Sequence, residues 1–441
     1  MNDVCLIHPF AHALANRTAY PPLGLLYIAA VLEEEERAVR YLDYNLTPTV
    51  DKIPDAEIYG IQLHTIGTYC EVERICNAIR EQRPESKIVV GGSGVGQGMS
   101  RLLLESELAD VLVLADGEYT MASLTELPKW EPYYLRSIKG IQYCSAGRVV
   151  ETRPPTLFMP LDALPFPARH LYDRDKLRDT SGVHGPVGVP ATTVITSRGC
   201  KYNCAFCCCD SPMHTYRQRS PDNVLREIKH LIDRYEITHY RFVDDIFTYD
   251  KRATFALCDQ LGLLNVTFVC ITHANLLNRK LIKSLKYAGC LEVMLGVESG
   301  SPRMLTAMNK QQSLSKVEQV VHWLREAGIS SKLFLMVGFP GENAESVNET
   351  KRFLERVQPD RVHLSTYIPL PGSDVWAHPE KYGVNILWSR VYDESWFYCD
   401  DETSTKGILA IPYGSTIQQL AALRADLMSY VRNEEWKKKQ A

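Results

Sequence analysis

Short apolar runs alternate with amphipathic helical stretches over residues 1–130. The pattern predicts helices such as 23–36 and 71–81, and it predicts β-strands at residues 4–8, 38–43, 58–64, 87–90 and 110–114. This alternation is typical of a parallel sheet covered by helices on both faces. Ligands of open α/β sheets bind beyond the carboxyl ends of the strands, where the sequence has Gly91, Gly92 and Glu118.

Prolines interrupt this alternation before residue 190. A hairpin-like stretch is followed by a segment rich in proline, with Pro154, Pro155, Pro160, Pro165, Pro167 and Pro186. Proline fixes its own φ angle and lacks a backbone N–H, so prolines at this density break regular elements. We predict a Rossmann-like domain over residues 1–135 and a proline-rich linker over residues 136–189.

A second β/α series follows the linker. Strands are predicted at residues 192–197, 239–243, 267–272, 291–297, 332–337 and 361–366, with a helical pattern in each gap. The fold class is therefore α/β, with the Rossmann-like domain followed by a partial (β/α)6 barrel over residues 190–375. We expect the functional face of the barrel at the carboxyl ends of its strands. Residues 376–441 are predicted to form a small, mostly helical C-terminal cap that ends in the charged helical stretch 417–439.

Composition and charge narrow the class of protein. The 441 residues are 45% hydrophobic, which is ample for packed cores, and the formal net charge is −4. No large basic field is available to hold a nucleic acid or an anionic membrane. The amino terminus lacks a signal-peptide pattern, and no apolar run reaches the roughly 18 residues of a membrane span. We expect a cytoplasmic protein that acts on a small-molecule substrate, without nucleic-acid or membrane partners.

Three of the 13 cysteines lie in the loop after the first barrel strand with C-x3-C-x2-C spacing: Cys200, Cys204 and Cys207. Three thiolates on a short loop can hold a [4Fe–4S] cluster and leave its fourth iron open to an outside ligand. A zinc site is the alternative, and it would need a fourth ligand from Cys208, Cys209 or His214. The spacing and the strand context together favour the cluster.

The cysteine spacing, with an aromatic residue before the last cysteine, resembles the radical S-adenosylmethionine superfamily. Strand-end segments of the barrel resemble it too, at residues 243–247, 297–301, 336–341 and 367–373. The resemblance implies that the open iron binds S-adenosylmethionine and that an electron from the cluster cleaves it to a 5′-deoxyadenosyl radical. An external donor such as flavodoxin or ferredoxin would supply that electron.

The same resemblance implies a set of residues that contact S-adenosylmethionine: Phe206, Asp244, Glu298, Ser299, Gly300, Met336 and Tyr367. Each strand-end motif also has a purely structural explanation. A strand-end carboxylate often caps the next helix, and Gly338-Phe339-Pro340-Gly341 by itself is only a turn. Their shared place at strand ends favours ligand contact.

Candidate catalytic residues are polar groups near the same strand ends: Tyr216, Asp245 and His273. Members of the family often carry an arginine near position 273, where this chain has histidine. That histidine either faces the substrate or is hydrogen bonded within the protein at a strand end.

The amino-terminal domain resembles the cobalamin-binding branch of this superfamily, in residues 20–26, 91–92, 116–120 and 161–167. This branch stacks the corrin between its two domains, and its commonest reaction is methylation of an unactivated carbon or phosphorus. The resemblance implies cobalamin contacts from Gly91, Gly92 and Glu118, with the glycines letting the backbone approach the nucleotide tail. Alternatively, the glycines serve only the loop itself, by allowing backbone conformations that other residues disfavour. No Asp-x-His-x-x-Gly motif occurs, so no histidine is evident to bind cobalt.

These observations predict a biosynthetic radical enzyme that uses cobalamin to methylate an unactivated carbon of a small molecule or natural product. One alternative keeps the radical without cobalamin, for dehydration, epimerisation or cyclisation of a sugar or natural-product intermediate. Asp210 could then relay protons together with the candidate catalytic residues, and Cys208 or Cys209 could donate a hydrogen atom or be only buried thiols. A second alternative is a non-enzymatic iron–sulfur or zinc protein, which would not consume S-adenosylmethionine.

Overall fold

The protein is described by a computed structural model at residues 3–11, 17–18, 20–47, 53–96, 98–154, 159–178, 185–208, 215–391 and 405–438. The chain divides into two compact units. Unit 1 contains Met1–Leu177, and unit 2 contains most of the chain from Arg178 onward. Each unit is built on a largely or wholly parallel sheet, so the predicted α/β class is confirmed.

Unit 1 has a seven-stranded sheet in the order β2-β1-β3-β4-β5-β6-β7. The parallel strands are β1 Val4–His8, β2 Val39–Asp43, β3 Ile58–Gln62, β4 Lys87–Gly91 and β5 Val111–Val113. The hairpin-like stretch is part of this sheet, because β6 Ile141–Ser145 and β7 Arg148–Glu151 pair antiparallel beside β5. The helices are α1 Leu23–Glu34, α2 Tyr69–Gln82, α3 Met99–Leu103, α4 Gly117–Thr125, α5 Pro132–Leu135 and α6 Arg174–Arg178.

The order of these strands fixes where a ligand can bind. Strands β2 and β3 flank β1, so the chain connections diverge to opposite sides at the carboxyl ends of β1 and β3. Such a switch point opens a crevice in the sheet edge. Strands β1 and β3 are buried on both faces, as expected for central strands of a sheet covered by helices.

Unit 2 has a six-stranded parallel sheet in the order β15-β14-β13-β12-β11-β8, which confirms the predicted six barrel strands. They are β8 Ala191–Val194, β11 His239–Phe242, β12 Thr267–Thr272, β13 Cys290–Glu298, β14 Ser330–Val337 and β15 Arg361–Thr366. Two further strands of two residues each, β9 Ser197–Arg198 and β10 Arg217–Gln218, lie between β8 and β11 in the chain and pair antiparallel with each other. Helices between them are α7 Pro221–Tyr235, α8 Lys251–Leu261, α9 Arg279–Tyr287, α10 Pro302–Ala307, α11 Leu314–Glu326 and α12 Ala344–Val357.

The two faces of this second sheet differ. On β14, Leu333, Leu335 and Val337 are buried, and Val337 packs against α12 and the last long helix of the chain. The residues between them on β14 are only partly buried. These alternate residues lie on the face of the sheet opposite α12. The residues aligned with them on neighbouring strands point to the same side.

The carboxyl-terminal segment contains α13 Asp374–Ala377, β16 Val384–Ile386, α14 Trp388–Val391, β17 Ala410–Pro412, α15 Ile417–Arg432 and α16 Glu435–Lys438. Strands β16 and β17 form an antiparallel ribbon that the sequence pattern did not predict, because three-residue strands carry too little periodicity. The predicted terminal helix is broken at Glu434, whose φ of 49° ends a right-handed helix. No helix in the described part of the chain combines the length and the apolarity that a bilayer crossing requires.

Candidate functional site

The cysteine loop lies in unit 2 between β9 and β10, and Asp244 holds β9, from which the loop starts. The Asp244 carboxylate is 1% exposed. It accepts hydrogen bonds from the backbone N–H groups of Thr196 and Ser197 and from both of their hydroxyls, at 2.8 Å for the Thr196 N–H. Burial raises the pKa of Asp244 to about 6, although these four hydrogen bonds lower it. The carboxylate therefore fixes the backbone from which the cysteine loop starts.

We expect Asp244→Ala to lower the free energy of unfolding by about 3 kcal/mol, because two buried N–H groups lose their acceptor. Denaturation with urea under anaerobic conditions measures the change. Asp244→Asn keeps one acceptor oxygen and should lose clearly less. Equal losses for the two variants would mean that the hydrogen bonds do not hold the loop.

The middle of the loop is fixed from the opposite side by backbone contacts. The Ala205 N–H donates to the Met308 carbonyl at 2.9 Å, and the Val375 N–H donates to the Ala205 carbonyl at 3.1 Å. Asn309 donates to the Asn203 carbonyl at 2.9 Å. The segment that carries the cysteines is thus held between the end of α10 and the start of α13.

The three cysteines of the motif lie close enough to influence one another. Cys204 is 9% exposed, and Cys200 and Cys207 are partly exposed. Burial raises the pKa of Cys204 to about 11; the nearby Lys310 ammonium opposes this rise, and the other two thiols add to it. The Tyr202 N–H donates to the Cys200 sulfur at 3.4 Å.

Three thiols on one loop are a donor set that fits an iron–sulfur cluster, in which each thiolate binds one iron. No three His, Cys, Asp or Glu side chains of the described ranges are arranged to hold one metal ion. Thiolates that bind different irons of a cluster stand farther apart than ligands of one ion. Cys209 and His214, which a zinc site could recruit, lie outside the described residues, as does Asp210.

Lys310 is a site residue that the sequence did not reveal. Its ammonium lies 3.1 Å from the Glu298 carboxylate, with side chains only 9% and 14% exposed. Burial lowers the pKa of Lys310, but Glu298, Cys204 and Cys207 raise it more, so the amine stays charged. Glu298 has a φ of 71° beside a register shift of β13. Such a bulge redirects a side chain, here toward Lys310.

Three predicted ligand contacts come together in one apolar cluster at the carboxyl ends of the strands. Phe206, Met336 and Tyr367 pack around the buried Phe339, whose ring is 5.2 Å from that of Tyr367. Tyr367 is 2% exposed, and its hydroxyl has no hydrogen-bond partner in the described chain. A buried hydroxyl without a partner is costly, so a ligand acceptor at this point would be favourable.

Ser299 and Gly300 are explained by packing inside the protein. The Gly300 N–H donates to the Thr350 hydroxyl at 3.0 Å, and a Cβ on Gly300 would lie 2.6 Å from the Thr350 Cα. The Ser299 hydroxyl accepts from the Ser301 N–H at 3.2 Å. These contacts bring α12 against the end of β13. Contact of Ser299 or Gly300 with S-adenosylmethionine stays a prediction.

The candidate catalytic residues differ in their surroundings. His273 is 4% exposed and stacks on Tyr202 of the cysteine loop at 4.4 Å. Its Nδ1 accepts from the Asn275 N–H, which leaves Nε2 buried without a partner among the described residues. Burial and the Lys310 charge lower the pKa of His273 to about 4, so the ring is neutral.

Tyr216 donates a hydrogen bond to Gln218, whereas the Asp245 side chain is exposed just after β11. Their catalytic roles stay predictions.

In unit 1, the predicted glycines lie where β4 meets the loop after β3. Gly92 has a φ of 119°, and a Cβ there would lie 2.7 Å from the Leu63 carbonyl oxygen. Glycine at this position is therefore required by the protein's own backbone, whatever binds nearby. A Cβ on Gly91 would make only an ordinary contact with Val113. Glu118 is 3% exposed in the first turn of α4.

The switch point of unit 1 carries polar groups that no sequence motif revealed. The His8 ring lies 3.1 Å from the Asp43 carboxylate, which also accepts from Tyr41 and from the Asn45 N–H. His64 follows β3 with an exposed side chain, and its carbonyl accepts from Ser93. Only the pairing of β1 with β2 and β3 brings these residues to one edge.

Comparison with known proteins gives family and fold. The model of the radical SAM superfamily matches residues 194–354, and that of the B12 binding domain matches residues 15–125. "Uncharacterized methyltransferase PH0819" of Pyrococcus horikoshii is 30% identical over 377 residues, which cover 82% of this chain and 79% of that protein. An anaerobic magnesium-protoporphyrin IX monomethyl ester cyclase of Cereibacter sphaeroides is 23% identical, covering 83% of this chain and 62% of the cyclase.

A solved structure shares the fold over nearly the whole chain. It is the radical S-adenosylmethionine methyltransferase TsrM from Kitasatospora setae, with cobalamin and a [4Fe-4S] cluster bound. The TM-score is 0.73 at 17% sequence identity, and the match covers 97% of this chain and 88% of the other.

Proposed function

This chain belongs to the cobalamin-binding branch of the radical S-adenosylmethionine superfamily, and we propose that it is a cobalamin-dependent methyltransferase acting on an unactivated carbon of a small molecule. The proposal rests on one observation. The same chain contains a B12-binding domain and a barrel that carries the three motif cysteines at its mouth. A full barrel would be superfluous for a non-enzymatic iron–sulfur or zinc protein.

Residues of unit 2 fit a cluster and S-adenosylmethionine. Cys200, Cys204 and Cys207 would hold the cluster, and S-adenosylmethionine would lie against the apolar cluster of Phe206, Met336 and Tyr367. When bound, the cluster supplies an electron and cobalamin carries the methyl group. The aromatic and thioether side chains exclude water from this part of the barrel mouth, and the Tyr367 hydroxyl can donate a hydrogen bond to the ligand.

The proposed partners follow from this chemistry. An external reduced carrier such as flavodoxin or ferredoxin would deliver the electron. We place the protein in the cytoplasm, where its many buried cysteines stay reduced. The net charge of −4 supports a small-molecule substrate over a nucleic acid or a membrane surface.

One observation favours a second candidate function. The cyclase relative matches both units of this chain, and its name describes ring formation instead of methylation. Radical cyclisation therefore remains the alternative, with His273 and Asp245 near the reacting groups.

Corrin retention tests the proposal. Protein purified without oxygen and reconstituted with iron and sulfide is offered hydroxocobalamin, and the excess is removed. We expect a one-to-one complex by optical spectroscopy, and methyl transfer from S-adenosylmethionine to the reduced corrin. Gly92→Ala should lose the corrin but keep the iron, because its added Cβ collides with the Leu63 carbonyl.

Gly91→Ala is the matched control, since the added methyl group there makes only an ordinary contact. It should keep the corrin. A wild-type protein with a complete cluster and no retained corrin would overturn the methyltransferase proposal and favour cyclisation or elimination.

A further inference from the structure

The His273 imidazole has one ring nitrogen bonded within the protein and one that is left over. The Asn275 N–H donates to Nδ1 at 3.2 Å. A nitrogen that accepts a hydrogen bond carries no proton, so the ring is neutral and its proton lies on Nε2. Nε2 is buried and has no hydrogen-bond partner among the described residues. His273 therefore presents an N–H donor whose burial is costly until an acceptor meets it.

The orientation of this donor is fixed. The imidazole lies flat against the Tyr202 ring of the cysteine loop, with 4.4 Å between the ring centres and 10° between the planes. The hydrogen bond from the Asn275 N–H sets the rotation of the ring within that stack. Such a donor needs little reorganisation to bind a ligand.

The strand register brings the donor to the ion pair of Lys310 and Glu298. His273 and Gly296 directly follow a residue pair of the β12–β13 register, so they are neighbours on adjacent strands. His273 keeps an extended backbone, and its side chain points to the face on which a Gly296 side chain would lie. A Cβ on Gly296 would be 3.3 Å from the Lys310 ammonium and 2.8 Å from the Glu298 carboxylate. The ion pair thus occupies the space over Gly296, next to the imidazole.

This group borders the surface assigned to S-adenosylmethionine. The Lys310 ammonium is 6.0 Å from the centre of the Phe206 ring, which belongs to the apolar cluster at the barrel mouth. Gly296 aligns with Phe334 on β14, and Met336 of the same cluster lies two residues further along the same face.

The chemistry of the group selects one part of that ligand. A lysine ammonium has three N–H donors, and the Glu298 carboxylate accepts from Lys310 at 3.1 Å. A cation beside a neutral N–H donor favours an acceptor with negative charge. In S-adenosylmethionine the sulfonium and the amine are cationic and the adenosine is uncharged, so the carboxylate is the anionic acceptor.

We propose that the Nε2–H of His273 and the ammonium of Lys310 together bind the carboxylate of S-adenosylmethionine. His273 is then a binding residue for this ligand and not a proton relay. A relay would have to take up a proton, and protonation of Nδ1 would break the hydrogen bond from the Asn275 N–H. The inference rests on the radical S-adenosylmethionine part of the proposed function and does not depend on cobalamin.

Equilibrium dialysis of S-adenosylmethionine and of decarboxylated S-adenosylmethionine tests the proposal. The protein is reconstituted with its cluster and kept without reductant and without cobalamin. The second probe keeps the sulfonium, the amine and the adenosine but lacks the carboxylate. His273→Phe keeps a ring against Tyr202 and removes the donor. We expect this variant to bind S-adenosylmethionine roughly tenfold more weakly and the decarboxylated probe as the wild type does.

Three further variants complete the experiment. His273→Gln has an amide N–H that can reach the position of Nε2, and it should recover most of the affinity for S-adenosylmethionine. His322→Phe is the matched control, because His322 is exposed on α11, and it should bind both probes like the wild type. His273→Leu also lacks the donor and replaces His273→Phe if that variant does not fold.

Two results would overturn the proposal. An equal loss of affinity for both probes would mean that His273 only supports the fold. Unchanged affinity for S-adenosylmethionine in a folded variant without the donor would mean that Nε2 does not meet the carboxylate. Failure of the methyltransferase proposal would appear in corrin retention, which this measurement does not involve, so the two failures are distinguishable.

Discussion

Replacement of any one of Cys200, Cys204 and Cys207 by alanine is expected to reduce formation of 5′-deoxyadenosine to background. In the proposed site each thiolate would bind a different iron of the cluster, so loss of one would leave a second iron without a protein ligand. Chromatography of 5′-deoxyadenosine, with iron and sulfide analysis of the reconstituted variants, measures the effect. Iron content should fall together with activity.

Cys208→Ala is the matched control, because Cys208 follows the motif directly and is also partly exposed. It should retain the cluster and the cleavage of S-adenosylmethionine. The assignment of the ligands would be wrong if a variant of one motif cysteine kept full activity. It would also be wrong if Cys208→Ala lost the cluster while the motif variants retained it.

The parts of the fold that the sequence predicted are those that local patterns determine. Strands such as β1 and β12 are runs of mostly buried residues, and β1, β12 and β15 have the predicted bounds. The cysteine motif is equally local. The short β16–β17 ribbon was missed, because its pairing depends on residues far apart in the sequence.

The remaining parts of the site arise from contacts across the sequence, which no local pattern records. Lys310 follows α10 in a segment without a motif, and only the fold brings it to Glu298 and the cysteine loop. Gly92 was predicted from its place after β4, but its backbone conformation is set by the carbonyl of Leu63. In the same way, Asp244 was predicted as a ligand contact, and the structure shows it as the anchor of Ser197.

Strand-end motifs therefore contain two kinds of residue. Phe206, Met336 and Tyr367 face a common apolar cluster and end in groups that a ligand can meet. Ser299 and Gly300 instead join β13 to α12. Both kinds occur in the same short segments, because a precise barrel mouth needs a ligand surface and a rigid support behind it.

Lys310→Met is expected to lower the free energy of unfolding by about 3–5 kcal/mol, because it leaves the mostly buried Glu298 carboxylate without a cation. The variant should also bind less iron, since the Lys310 ammonium favours the thiolate form of Cys204. Anaerobic urea denaturation and iron analysis measure the two effects separately. Lys310→Arg keeps the charge and should restore part of both.

The double variant Lys310→Met with Glu298→Gln separates the ion pair from a wider role of Lys310. Removing both charges eliminates the unpaired carboxylate, so most of the lost stability should return. Iron binding should stay low, because Cys204 still lacks its cationic neighbour. If iron binding recovered together with stability, Lys310 would act only through Glu298. Low stability in the double variant would instead mean that packing of the lysine stem, and not its charge, supports the barrel mouth.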